Sequence, residues 1–288
     1  CWPRLDLRSP SFKCLVSHDV DRPSRAAFVP FNRFLASMAS DLVRRRDFRA
    51  FLSAPIIRFR THDRLHSADP VNTFSWLMSV SEHHGLQSAF YFICGRTDPE
   101  KDAHYEPEHP AIRRLLREIH ARGHEIGLHP SYRTYCDAQR LAAEAERLKK
   151  ICAGERIVQS VWGGRMHFLR WSHPTTLRAW ESARMTYDSS LGYADTPGFR
   201  CGTSYEYPAF DLEADRQLSL RIRPLVAMEC TVMAERYLGL GPTDAARERF
   251  IALKNVCRAV GGNFTLLWHN SSFDGPEERA VYEDVLAA

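Results

Sequence analysis

The chain has 288 residues, 44% of them apolar, which is enough for one large α/β domain with its own core. Its formal net charge is only +4, and the one short basic tract, "VRRRDFR" at Val43 to Arg49, reads as a solvated helix face, so no nucleic-acid partner is expected. No apolar run reaches the roughly 18 residues of a membrane-spanning helix.

The first strand candidate, Lys13 to His18, overlaps "CLVSHDVDRP" (Cys14 to Pro23) and ends at His18, directly before Asp19 and Asp21. Residues i and i+2 of an extended chain point to the same side, so Asp19 and Asp21 face one site together while His18 faces away. Ser24 to Ser67 is a long Arg- and Phe-rich insertion, expected to be helical around Phe31 to Phe51 and to wall a substrate groove. Ser88 to Cys94 is the second strand candidate, and the polar stretch from Asp98 to His109 follows it as a loop. Ile112, Leu115, Leu116 and Ile119 then recur at helical spacing, with Pro110 at the start and Gly123 past the end. His120 and His124 in "HARGH" have the i, i+4 spacing of a metal pair, but Gly123 breaks the helix between them. Glu125 to His129 is a strand ending in "GLHPSY", and Leu141, Ala145, Leu148 and Cys152 mark another helix.

Further strand candidates are Ile157 to Trp162, running into "WGGRMHF", then Met185 to Asp188 and Leu225 to Cys230. A helix through Ala246, Phe250, Leu253 and Cys257 precedes the last strand, Asn263 to His269, which ends in "LLWHNSS". About seven strands with interleaved helices predict a parallel sheet, either a barrel or doubly wound. The simplest organisation is one domain over residues 1–288. No glycine pattern of the G-x-G-x-x-G type follows a strand, so nucleotide binding is not supported. The eight cysteines include no C-x-x-C pair, which argues against a zinc ribbon or a thioredoxin-type site. Cys14 and Cys94 sit in apolar runs as expected of reduced thiols, and with no export signal visible a cytosolic compartment is expected.

In parallel α/β folds the functional side chains collect at the carboxyl ends of strands. Four predicted strand ends carry Asp19 with Asp21, His129, Arg165 with His167, and His269. Two carboxylates among several imidazoles suit a divalent metal of zinc type that keeps a position open for water. One aspartate would ligate the metal while the other takes a proton from the attacking water. Two close carboxylates need a compensating cation, and Arg165 is available. His269, on the opposite rim, would protonate a leaving amine or alcohol. Trp162, Phe168, Trp171, Tyr193 and Tyr205 could stack on sugar rings, although packing is the default role of each. His62, His66, His83 and His84 read as surface residues.

These stretches resemble a known family. "SHDVD" resembles the first motif of the polysaccharide deacetylases, the NodB-type carbohydrate esterases, and "GHEIGLHPSY" their second. "GGRMHFLRW" is similar to their arginine motif and "TLLWHNSS" to their terminal Leu-x-x-His motif, while Tyr187 to Leu212 resembles a bacterial subgroup of deacetylase-like proteins. The motifs run in order from about Phe12 to Ser272. The resemblance implies a deformed (β/α) barrel that hydrolyses N-acetyl, or O-acetyl, groups on a sugar or a surface-polysaccharide precursor, using a divalent metal, Zn2+ above all.

Carried over by motif, Asp19 takes the general-base position and Asp21 a metal-ligand position. His129 matches the first metal histidine, Arg165 the arginine that orients the base, and His269 the general acid. Glu229 falls where an acidic partner tunes that histidine, with Asp188 as a rival. One position departs from the pattern: four residues beyond His129, where the family has a second histidine, this chain has Arg133, and a guanidinium cannot ligate a metal. His167 is the favoured replacement. The departure keeps open a catalytically weakened or metal-free glycan-binding or assembly protein on the same fold, and a metal-dependent hydrolase of a non-sugar linear amide is a second alternative.

Overall fold

A computed structural model describes residues 11–288. Among the described residues nine strands form one sheet: β1 (Lys13–Val20), β2 (Ser88–Phe92), β3 (Glu125–Leu128), β4 (Gly163–Gly164), β5 (Tyr187–Asp188), β6 (Tyr207–Asp211), β7 (Arg216–Ile222), β8 (Ala227–Met228) and β9 (Asn263–Leu267). Their order is β6-β7-β5-β4-β3-β2-β1-β9-β8. Every neighbouring pair is parallel except β6 with β7. The two end strands do not pair with each other, so the barrel is deformed and open. The helices are α1 (Phe31–Ser40), α2 (Phe48–Arg60), α3 (Phe74–His83), α4 (Pro110–Ala121), α5 (Ala138–Gly154), α6 (Thr175–Ser182), α7 (Glu229–Met233), α8 (Asp244–Ala259) and α9 (Pro276–Ala287).

Local sequence accounts for the central elements. β2, "SAFYF", is buried along its whole length, as a strand covered on both faces must be. In α4 the Pro110 ring sits in the first turn, where no backbone donor is lost, and Ile112, Leu115, Leu116 and Ile119 fill the buried stripe. Asp137 caps α5 by accepting from the Arg140 amide at 3.0 Å. Inside the barrel the missing side chains of Gly127 and Gly163 leave the space that the rings of Tyr91 and Tyr187 occupy. Those two phenols hydrogen-bond each other at 2.8 Å, and the Arg165 guanidinium lies over the Tyr91 ring, 5.1 Å from its centre.

Four expectations need correction. Ile157 to Trp162 is not a strand; β4 is only Gly163–Gly164. The side-chain amide of Gln159 takes both backbone groups of Ile126, at 3.2 and 2.6 Å, so the main chain there has no ladder to join. The sheet has nine strands rather than about seven, because the β6–β7 hairpin went unread. β7 carries the signal in "RQLSLRI", whose Leu218, Leu220 and Ile222 alternate inward.

The other two concern bounds. The insertion is helical well past Phe51, as α1, a π-helical turn over Asp41–Arg45, and α2 out to Arg60. Its helices and the stretch that leads into them are held together by a small cluster of Ala26, Phe34, Ala54 and Ile57 and by Arg58 donating to the carbonyls of Ala26 and Val29. Of Leu225 to Cys230 only Ala227–Met228 is strand, since Glu229 starts α7.

Candidate metal centre

β1 runs two residues further than its apolar run suggests and ends at Val20, so Asp19 is carried by the strand itself and Asp21 follows directly. Strand alternation sorts the neighbours. Ser17 and Asp19 face the barrel interior, where both meet Arg165: Nη1 donates to Asp19 Oδ1 at 2.7 Å and Nη2 to Ser17 Oγ at 2.9 Å. Arg165 is fully buried, and its Nε donates to the Ser189 carbonyl at 3.0 Å, so one planar group is fixed from three sides. His18 faces the other way, lies tilted against Phe90 with ring centres 4.7 Å apart, and donates from Nδ1 to the Trp268 carbonyl at 2.7 Å. Burial pushes its pKa down to about 4, which keeps it a neutral packing residue.

Asp21, His129 and His167 each offer one ligand atom, and the three atoms lie within 4.8 Å of one another. His129 Nδ1 donates to the Arg165 carbonyl at 2.6 Å. A carbonyl can only accept, so the neutral ring must present a bare Nε2, which lies 3.3 Å from Asp21 Oδ1 and 3.7 Å from Asp19 Oδ2. His167 Nδ1 donates to Asp102 Oδ1 at 3.1 Å, leaving its Nε2 3.7 Å from the same Asp21 oxygen. Carboxylate and carbonyl partners of this kind fix the tautomer of metal-binding histidines. Asp21 Oδ1 itself is buried without a hydrogen-bond partner. An orphaned anionic oxygen facing two imidazole lone pairs is the donor set that a small divalent cation satisfies, so the residues fit a metal. Burial alone would raise the Asp21 pKa, but in the metal-free cluster protonated imidazoles of His129, His167 and His269 hold its carboxyl well below the usual carboxylate range.

Across the cluster His269 points Nε2 at Asp21 Oδ2 from 3.7 Å and gives its Nδ1 to Glu229 Oε1 at 2.5 Å. Ser272 Oγ donates to that same oxygen at 2.9 Å. Burial would lower the His269 pKa, yet the Glu229 carboxylate and the two aspartates push it up to about 10. Asp188, the rival to Glu229, does not reach His269. It accepts from Trp171 Nε1 at 3.2 Å and from Ser190, and burial lifts its pKa to about 6.

All seven residues singled out by the sequence, Asp19, Asp21, His129, Arg165, His167, Glu229 and His269, thus meet around one point. Arg133 does not. It turns away to Asp98 Oδ2 at 3.3 Å with 65% of its side chain exposed, and His167 stands in the cluster instead. Sequence reasoning missed Asp102, which holds His167. It accepts from the amides of Thr97, Asp98 and Tyr132 at 2.7–2.8 Å. Burial would raise its pKa, but the His167 hydrogen bond and these amides lower it to about 2. The signal available was position, because its polar loop leaves the end of β2, next to β1. Of the five aromatics offered as sugar platforms, Phe168 lines the clefts and is 58% exposed. Tyr205 and Trp171 spend their polar ends on the Val260 carbonyl and Asp188. Phe168 and Leu169 both have left-handed backbone, an unfavourable conformation for non-glycine residues that marks a constrained loop.

Two clefts flank the cluster. One, of about 270 Å³, contains Asp19, Asp21, His129, His167 and His269; the other, of about 240 Å³, lies across Asp21 and His167 and is walled by Phe28, Arg33 and His104.

No family model and no curated protein matches the sequence. Solved structures do match in fold. One assigned as a polysaccharide deacetylase from Mycobacterium smegmatis aligns over 100% of this chain and 85% of its own, with a TM-score of 0.58 at 18% identity. Another so assigned, from Pseudomonas aeruginosa PAO1, aligns over 96% and 84%, with a TM-score of 0.55 at 15% identity. PuuE allantoinase aligns over 96% and 84%, with a TM-score of 0.55 at 12% identity. The chain is built on the deformed barrel that these proteins share.

Proposed function

We propose that the chain is a metal-dependent hydrolase that removes an N-acetyl group from a sugar or a polysaccharide precursor, with zinc held by Asp21, His129 and His167. The observation that carries this reading is the orphaned Asp21 Oδ1 set between two imidazoles whose other nitrogens are already committed. A zinc ion there would supply a Lewis acid for the acetyl carbonyl and would acidify the attacking water.

The chain's own residues divide the proton transfers. Asp19 spends Oδ1 on Arg165, which leaves Oδ2 facing the cluster to accept the water proton. His269, protonated through its pairing with Glu229, faces the same point from the far side and delivers its Nε2 proton to the departing amine. Base and acid are held apart by different anchors, so neither neutralises the other. Clefts on both sides of the Asp21–His167 pair suit an extended substrate lying across it, with Phe168 as a surface for a sugar ring. A second reading, hydrolysis of a small non-sugar amide, is favoured by the allantoinase among the fold neighbours.

Acetate release from a panel of N-acetylated sugars by the zinc-loaded protein, with allantoin and linear amides alongside, distinguishes the two. Asp19→Asn is expected to lower turnover by about 10²- to 10⁴-fold while the protein keeps its zinc. Turnover of non-sugar amides alone would overturn the sugar assignment. Loss of zinc in Asp19→Asn would exchange the roles of the two aspartates, and a wild-type protein that takes up no stoichiometric zinc is not this enzyme.

A further inference from the structure

The insertion carries an apolar face that nothing in the described residues covers. Along α2, Phe48, Leu52, Ile56 and Phe59 follow at i, i+4, i+8 and i+11, which places them in one stripe. Phe31 and Leu35 repeat the spacing on α1, and Val43 stands in the turn between the helices. All seven are between 50 and 73% exposed. The opposite side of α2 is already in use, since Ala54 and Ile57 pack against Ala26 and Phe34. Scattered apolar side chains on a surface need no explanation, but seven on one two-helix unit do.

The charge around this face is one-sided. Residues 31–60 hold seven arginines against two aspartates, a local +5 in a chain whose net charge is +4. Asp41 is buried against Arg25, and Asp47 is used as the cap of α2. Arg44, Arg46, Arg49 and Arg60 have no carboxylate within ion-pair distance among the described residues, and Arg49 and Arg60 flank the α2 stripe. Apolar residues on one face with unpaired cations at its edge are complementary to an anionic bilayer surface, where the rings enter the acyl boundary and the guanidiniums meet phosphates. A second copy is a poor occupant, because face-to-face pairing would oppose two sets of unpaired arginines.

We propose that the α1–α2 insertion docks the protein on an anionic phospholipid membrane. Arg33 of α1 lines the same cleft as Asp21 and His167, so the docking unit is also a wall of the candidate site.

Sedimentation of the full chain with vesicles of phosphatidylglycerol and of phosphatidylcholine tests this. Binding to phosphatidylglycerol vesicles is expected to be at least about tenfold tighter and to weaken with salt. Phe48→Glu/Leu52→Glu, and separately Arg44→Glu/Arg46→Glu/Arg49→Glu, should each cut it by about tenfold or more. Thermal unfolding and acetate release from a soluble substrate should stay unchanged, since these side chains face solvent. Equal binding to both vesicle types, no binding, or wild-type binding by both variants overturns the proposal. So does a Phe48→Glu/Leu52→Glu protein that merely changes oligomeric state in light scattering while vesicle binding persists, which would make the face a self-interface.

Discussion

At the scale of single residues, the acid–base assignment rests on how Glu229 acts on His269. Burial works against a charged imidazole there, and the pKa of about 10 exists because the Glu229 carboxylate lies 2.5 Å from Nδ1. Glu229→Gln keeps the size of the side chain and removes its charge, so the His269 pKa should fall toward the value burial favours. The reaction needs His269 protonated. The alkaline limb of kcat/KM for acetate release should therefore move to lower pH, and activity near about pH 8 should drop by roughly ten- to a hundredfold. The acid limb should stay in place, because Glu229 pairs with His269 and does not touch the base, Asp19. If both limbs move together, or neither does, Glu229 serves the fold rather than the proton transfer.

Asp19 and Asp21 were legible in sequence because strand alternation is a local rule, and their strand end declared itself by its apolar run. His129, His167 and His269 were legible as strand-end histidines. Asp102 was not, because its contact with His167 spans 65 positions and only the folded chain sets it. Arg133 misled for the reverse reason. Its place in a motif says nothing of direction, and the side chain turns outward to Asp98.

At the scale of elements, the loop after β3 is pinned by α5. Glu144 of α5 accepts from the Ser131 amide at 2.9 Å and from its hydroxyl, one residue from Pro130 and two from His129. Burial raises the Glu144 carboxyl to about 7 despite these bonds. A pKa raised by folding means that the native state binds the proton more tightly than the unfolded chain. The stabilisation is then fully present below the unfolded value near 4.5 and is lost as pH rises through about 7. Over that span the loss is about 3 kcal/mol. Glu144→Gln cannot titrate, so the stability difference between wild type and variant should shift against the wild type between about pH 5 and pH 8. Denaturant unfolding of both proteins across that range measures it, and parallel curves would refute the assignment. The elements were only partly legible. Helices with one buried stripe, such as α4, announce themselves by periodicity, whereas β4 and β5 are two residues long and owe their pairing to neighbours. Gln159 shows the cost of reading apolar runs alone, since its side chain takes the place of a strand.

At the scale of the whole molecule, the sheet order places β1 between β2 and β9, with β3 two strands and β4 three strands away from it, which gathers residues 21, 129 and 167 to one point. No unfolded chain holds three ligands so far apart in sequence in that arrangement, so a metal bound there stabilises the folded state alone. At a zinc concentration about a hundredfold above Kd, this linkage adds about 2.7 kcal/mol, which for a chain of this size raises Tm by about 5 °C. Asp21→Asn should abolish the shift, because the orphaned oxygen is the anionic ligand of the set. Asp102→Asn should leave a smaller one: releasing His167 from its carboxylate costs roughly ten- to a hundredfold in metal affinity, which removes about half or more of the gain at the same zinc level. Thermal unfolding in chelator and in zinc, for wild type and both variants, reads all three values. An equal shift in wild type and Asp21→Asn would place the zinc elsewhere on the molecule. A full shift in Asp102→Asn would show that the fold orients His167 without its carboxylate, and the metal centre would then reduce to the ligands that the strand ends themselves carry.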